Sequence, residues 1–219
     1  WNSMWMVAQS SIELKDTTKN IINVGNFNFI SDNENKIKII NVTDQGNLLI
    51  FFSGHPALRE SGEEIHDGMD FRNKLKSPVE IREFARSLKG NFVLGIICEN
   101  DCTILSDRFG VNKFFYSEES RFLASDSIRA IKSVIEANIS VESIAKYVLG
   151  YHFIGGSTLY SKIKHNEPAE IIKNGKDKVK RFFYWTPNEL LALENANIQI
   201  EEISSKLKEV VLSNLTEMK

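Results

Sequence analysis

Seven consecutive residues, Phe92-Val93-Leu94-Gly95-Ile96-Ile97-Cys98, place apolar side chains on both sides of an extended chain. Successive side chains of a strand point to opposite faces. A run without polar alternation therefore needs cover on both faces, which only a sheet inside a layered structure provides. The turn Glu99-Asn100-Asp101 and a second apolar run, Cys102-Thr103-Ile104-Leu105, follow at once and predict an antiparallel partner. With 42% hydrophobic residues in a chain of 219, a core of this kind can be filled.

The remaining pattern alternates strands and helices. Ile37 to Val42 and Leu48 to Phe52 flank a turn at Asp44-Gln45-Gly46-Asn47, and Val24 to Ile30 is a further strand. The polar stretch from His55 to Lys76 reads as loop. Ser77-Pro78-Val79-Glu80 is a capping box with proline at the first helical position. Ile81, Phe84, Ala85 and Leu88 then form one apolar face, and Gly90 ends the helix. Phe114 to Tyr116 and Arg121 to Ala124 form a short strand pair. Ser125 and Asp126 are N-cap candidates for a helix carrying Ile128, Ile131 and Ile135. Ser140 caps another, with Val141, Ile144, Ala145 and Val148 on one face and Gly150 at its end. Asn174-Gly175, between Ala169 to Lys173 and Lys178 to Tyr184, signals a tight hairpin. An amphipathic helix with Ile203, Leu207, Val210 and Val211 on one stripe closes the chain. The fold class is α+β, layered.

Formal net charge is -2 with both signs dispersed, so no basic stripe marks a nucleic-acid partner. Cys98 and Cys102 are too few for a disulfide framework or a structural zinc site. They flank a three-residue turn and read as small buried hydrophobes, with a facing pair across the hairpin as the alternative. No apolar run is long enough to cross a bilayer and no signal-peptide pattern opens the sequence, so a soluble cytoplasmic protein is expected.

Two longer motifs go further. Leu88-Lys89-Gly90-Asn91-Phe92, followed by Asp107-Arg108-Phe109-Gly110, resembles the signature of the class II glutamine-amidotransferase domain of asparagine synthetases. The likeness continues, in the same order, through Phe115-Tyr116, Phe122-Leu123-Ala124-Ser125, Gly156-Ser157-Thr158-Leu159-Tyr160 and Phe183-Tyr184-Trp185. It spans roughly residues 48 to 187. The resemblance implies an N-terminal-nucleophile fold, a four-layer αββα sandwich of two antiparallel sheets. It implies an amidotransferase-like domain over residues 1–187. Residues 188–219 would be a linker and first helix leading to an ATP-dependent synthetase domain, on the same or a separate polypeptide. ATP and Mg would belong to that domain, and no cofactor is expected here. A second copy of this chain is another expected partner; nucleic acid and membrane are not.

The resemblance also locates losses. The family's nucleophile is an N-terminal cysteine whose own amine is the base. This sequence opens at Trp1, with no cysteine near it. Ser3 could serve only after removal of Trp1 and Asn2, and an active glutaminase whose first residue is missing is the weaker alternative. The family's Asn-Gly oxyanion pair corresponds to Ser53-Gly54, where the serine hydroxyl is a shorter donor. The acidic anchor for the substrate amine is replaced in Ser77-Pro78-Val79-Glu80, leaving Pro78 and Val79 in its place. Asp107, Arg108, Phe109 and Gly110 read as architectural, the charged pair sharing hydrogen bonds as it leaves a buried strand. His55, His66, His152 and His165 have no partner at metal spacing and read as surface residues. Members of the family without the cysteine, such as β-lactam synthetases, carbapenam synthetases and lasso-peptide cyclases, form amide bonds from activated carboxylates. The expected function is a non-catalytic domain of such a ligase, with a free-standing binding or regulatory module as the alternative.

Overall fold

The computed structural model describes residues 5–10, 20–31, 37–42, 48–58, 78–119, 121–153, 155–175, 178–191 and 200–216. The chain divides into two units, Trp1–Trp185 and Thr186–Lys219.

The first unit is built on two six-stranded sheets. One holds β1 (Trp5–Gln9), β2 (Asn20–Val24), β3 (Phe27–Ser31), β10 (Phe115–Ser117), β11 (Leu123–Ser125) and β12 (Lys164–His165), in the order β12-β10-β11-β1-β3-β2. The other holds β4 (Ile37–Val42), β5 (Leu48–Gly54), β8 (Phe92–Ile97), β9 (Cys102–Ser106), β13 (Glu170–Asn174) and β14 (Val179–Phe183), in the order β14-β13-β9-β8-β5-β4. The pairings are antiparallel. A separate two-residue pair joins β6 (Ala57–Leu58) to β7 (Leu88–Lys89).

Side-chain alternation explains the stacking. Trp5, Val7 and Phe29 of the first sheet pack with Phe51, Val93 and Ile104 of the second, forming a core between the sheets. The alternate residues Met6, Ala8 and Ile30 face outward onto α2 (Ile128–Val134) through Ala130 and Ile131. Ile50, Phe52, Leu94 and Leu105 face outward from the second sheet onto α1 (Pro78–Ser87) through Ile81, Phe84 and Ala85. The layers therefore run helix, sheet, sheet, helix, the αββα sandwich that the resemblance implied. Every residue of β8 is buried, as its two-sided apolarity demands, and its partner is β9 with Ile97 opposite Cys102.

Several local expectations are corrected. The single strand Val24 to Ile30 is instead a hairpin, broken at Gly25-Asn26. Gly25 has φ +53, and the Asn26 amide donates to the Glu99 carbonyl at 2.8 Å. Leu88 lies in β7, not in the helix before it. The Asn174-Gly175 turn is longer than two residues, because Asn174 pairs with Val179 inside the ladder. Ser125 and Asp126 do not cap α2. The Ser125 hydroxyl donates to the Trp5 carbonyl at 2.5 Å and accepts from the Ser127 amide at 3.0 Å, Asp126 Oδ1 accepts from the Trp5 amide at 3.0 Å, so both bond to β1, and Ser127 is the N-cap residue. Cys102 is buried, as read, but Cys98 is exposed, and the residue opposite Cys102 is Ile97, so the two cysteines are not a facing pair. The strand β1 carries no signal that the sequence pattern registered. The Ser77 cap, the 44–47 turn, Ser3 and His66 lie outside the described residues.

Ser140 caps α3 (Val141–Gly150) as expected, accepting from the Ser143 amide at 3.1 Å. The second unit holds α4 (Asn188–Leu191) and α5 (Ile200–Thr216). In α5, Ile203, Leu207, Val210 and Val211 are exposed. No helix among the described residues is long and apolar enough to cross a membrane.

Candidate functional site

Ser53 and Gly54 end β5. Ser53 pairs with Ile37 and Val93. It follows Phe51 by two residues, so its side chain is on the face turned toward the other sheet. Gly54 has φ +95, where side chains are rarely tolerated. A methyl group there would come within 2.1 Å of the Asn91 carbonyl oxygen and 2.7 Å of Asn112 Nδ2. The next amide, His55, donates to that same Asn91 carbonyl at 3.0 Å. Glycine is thus required by the close passage of two chain segments, whatever else happens at this corner.

Asp107 leaves β9 with its carboxylate buried. Oδ1 accepts from the amides of Phe109 at 3.0 Å and Val111 at 3.1 Å, and Oδ2 accepts from Asn112 at 3.0 Å. Three main-chain donors, not Arg108, compensate the buried charge. That corrects the expected Asp107–Arg108 pairing. Arg108 lies over the Trp185 ring at 5.2 Å and Phe109 meets the same ring edge-on at 6.1 Å. Gly110, φ +62, passes 3.2 Å from Pro168 as measured from the position of a Cβ.

The other motifs close on the same place. The Tyr184 hydroxyl donates to the Ser106 carbonyl at 3.0 Å, the Tyr184 amide donates to Ala169 at 3.0 Å, and its carbonyl accepts from Arg86 Nε at 2.6 Å. Ala169 in turn donates to the Asp107 carbonyl at 3.0 Å. Segments far apart in sequence therefore interlock through Asp107, Tyr184 and Trp185. The arrangement is a clamp of backbone groups and rings.

Pro78 and Val79 open α1. Val79 lines a cleft with Arg82 of the same helix and Lys180, Arg181 and Phe182 of β14. In the sheet order, β14 is four strand spacings from β5, roughly 19 Å. The structure accordingly brings Val79 to the far edge of the sheet from Ser53 and Gly54.

One cluster has no counterpart in the sequence reading. Glu170 is fully buried, and its Oε1 accepts from both Nε and Nη2 of Arg181 at 2.5 Å. Its Oε2 accepts from the Glu167 amide at 2.8 Å. Arg181 also lies over the Tyr116 ring at 5.7 Å. Burial opposes the charge of Arg181, but the hydrogen bond and charge of Glu170 outweigh it and hold the guanidinium above its ordinary range. Burial, reinforced by Glu170, pushes the Tyr116 phenol up. Burial likewise pushes the Cys102 thiol up, with Cys98 and Asp101 adding to it. Both groups stay neutral at physiological pH and are poor nucleophiles. Glu170 and Arg181 stand eleven apart in a hairpin, and nothing in the periodicity singles them out.

Trp5 is fully buried between the sheets, with its ring 4.9 Å from Phe51 and 6.1 Å from Phe114. Of the histidines, His55 and His152 are exposed, and His152 Nδ1 lies 2.5 Å from the Gly150 carbonyl oxygen. His165 is half-buried, its Nδ1 2.7 Å from the Asn166 carbonyl oxygen. Among the described residues no three His, Cys, Asp or Glu side chains are placed to share a metal ion.

No protein-family model matches this sequence, and no curated protein does. Among solved structures, it is similar to glutamine phosphoribosylpyrophosphate amidotransferase from B. subtilis, in complex with ADP and GMP. Identity is 11%, the TM-score is 0.46, and the match covers 84% of this chain and 43% of that one. A structure described as the allosteric regulatory enzyme of purine biosynthesis gives 11% identity and a TM-score of 0.48, with coverage of 84% and 43%. The chain spans less than half the length of these proteins.

Proposed function

We propose that this chain is an amidotransferase-like domain that does not hydrolyse glutamine and acts as the non-catalytic portion of an ATP-dependent, amide-forming ligase. The observation that carries the reading is the aromatic packing between the sheets around Phe51, two residues before Ser53. Ser53 is on the inter-sheet face, two residues beyond Phe51. Phe51 is covered by the fully buried ring of Trp5, which Phe114 backs. Glutamine hydrolysis needs an open approach to two oxyanion donors and a nucleophile with a free base. At this corner Gly54 has no room for a side chain, which would meet the Asn91 carbonyl, the following amide of His55 already donates to that carbonyl, and the buried thiol of Cys102 is held neutral. The sequence likeness from Leu88 to Trp185 supports the amidotransferase-type ancestry, and the interlocking of its motifs at Asp107 and Tyr184 gives those residues a structural role.

The partner in this reading is a synthetase domain, where ATP and Mg would be bound. Support for a partner comes from α3, whose Val141, Val148 and Leu149 are exposed at 80%, 64% and 84%. Apolar faces of this kind mark interaction sites.

The test is ammonia release from glutamine by protein with a verified native N-terminus, with calorimetry for glutamine binding alongside. No turnover and no binding are expected. Turnover on the order of ~1 per second, ordinary for an enzyme, would overturn the proposal and require a nucleophile ahead of β1. A reading frame encoding a Ser-Gly-Gly-x-Asp-Ser pyrophosphate loop downstream or nearby would test the ligase half separately.

A further inference from the structure

The strand β14 is the outermost of its sheet, and α1 lies against the same sheet's outer face. Between them runs a cleft of about 460 Å³, lined by Val79, Arg82, Lys180, Arg181 and Phe182. Its size is within the range of small-molecule sites. Three of the five lining residues are basic, in a protein of net charge -2.

The three cations are not equivalent. Arg181 is already neutralised by Glu170 at 2.5 Å, with Glu167 3.7 Å away. Arg82 has its guanidinium over the Phe182 ring at 5.2 Å, and among the described residues neither Arg82 nor Lys180 makes an ion pair. Among the described residues the cleft therefore holds two cations without an ionic partner. The ring of Phe182 holds the guanidinium at the cleft, and its several N–H donors suit a planar or tetrahedral oxyanion. Lys180, one strand residue from Arg181 and two from Phe182, adds a point charge on the same rim. Val79 and Phe182 supply an apolar wall.

We propose that this cleft binds a phosphate monoester with a small apolar or aromatic body. A phosphate monoester carries about −1.5 to −2 charges at neutral pH, which matches the two unpaired cations. Arg82 takes two phosphate oxygens, Lys180 a third, and the organic part rests on Val79 and Phe182. The inference is independent of the glutamine-hydrolysis question, because the cleft is on the outer face and Ser53 on the inner one.

The experiment is a titration of the full chain with phenyl phosphate, and separately with inorganic phosphate, followed by amide chemical shifts at fixed ionic strength. Saturable shifts confined to Val79, Arg82 and Lys180 to Phe182 are expected for phenyl phosphate. Arg82→Gln and Lys180→Gln should each weaken it about tenfold. Both side chains are at the surface, so the variants are expected to fold, with unchanged melting as the check. Lys146→Gln, which removes a lysine already paired with Glu142, should change nothing. Absence of saturation at about 10 mM, a standard free energy near −3 kcal/mol, would overturn the proposal. So would an equal loss in Lys146→Gln, which would mean non-specific attraction. Inorganic phosphate binding as tightly as phenyl phosphate would overturn the role given to Val79 and Phe182.

Discussion

Helices α1 and α3 have the same apolar spacing and opposite fates. In α1, Ile81, Phe84 and Ala85, with Leu88 just beyond, stand at i, i+3, i+4 and i+7 and are all buried. In α3, Val141, Ile144, Ala145 and Val148 follow the same spacing, and the large residues remain exposed. The difference lies in what surrounds each helix. The second sheet turns Ile50, Phe52, Leu94 and Leu105 toward α1, and Arg86 ties the helix to the Tyr184 carbonyl. In α3, Ser143 is the buried residue, and among the described residues the Tyr147 ring meets that of Phe153, tilted, at 5.0 Å. Periodicity states that a helix has a face wanting cover. It does not state where the cover comes from, and for α3 the described residues do not supply it.

The comparison is most easily broken at Phe84. If α1 is a core layer, Phe84→Ala removes a ring that is 7% exposed and leaves a cavity, with an expected loss of about 3–5 kcal/mol in denaturant unfolding. A loss under ~1 kcal/mol would mean that α1 is no better integrated than α3. Tyr184→Phe sharpens the point by a smaller step. It deletes the hydroxyl that donates to the Ser106 carbonyl at 3.0 Å without changing the packing of the ring. About 1–2 kcal/mol is expected, since a buried carbonyl loses its partner.

The same contrast explains what could be read from the sequence. Elements whose side chains are all spent locally were legible. The strand β8 announces itself by two-sided apolarity, and the α3 cap by Ser140 standing three residues before the amide it accepts from. The layered class and both central hairpins followed. Features that depend on distant segments were not legible. The strand β1 was missed because Trp5-Met6-Val7-Ala8 buries both faces in only four residues, too short a run to outweigh the polar residues around it. Ser125 and Asp126 looked like caps because the two residue types cap helices. Their actual partner, the Trp5 backbone, is about 120 positions away in sequence. Asp107 was expected to pair with its neighbour Arg108, when its own following loop offers three amides in the right places. The Glu170–Arg181–Tyr116 cluster joins both sheets and has no sequence period at all. In the candidate site, the positions Ser53 and Gly54 were found by resemblance, but the aromatic packing of Trp5 and Phe114 around Phe51 came only from the structure.

A third test addresses α3 directly. Ser140→Ala removes the side-chain acceptor for the Ser143 amide, with an expected cost of about 1 kcal/mol. A helix held mainly by its cap rather than by packing should show that cost as faster amide exchange within Val141–Gly150, at little change in global unfolding. If global stability falls by the full amount instead, α3 is cooperative with the core and the contrast with α1 weakens.

The smallest expected effect belongs to Val148→Ser. Val148 is 64% exposed, so its replacement takes no buried methyl groups from a packed surface and should change folding free energy by no more than about 0.5 kcal/mol. The value of the measurement is in how it scales with concentration. A loss above ~1.5 kcal/mol that is the same at every protein concentration would show that the face is covered within the folded chain, and α3 would join α1 as a core helix. A loss that grows on dilution would show that a second copy covers it, because stability then follows mass action. Indifference at all concentrations is the outcome expected here. It would leave the α3 face available, with Ile144 and Leu149 beside Val148, for a partner of different sequence. Binding of that partner is then the one property that Val148→Ser should damage.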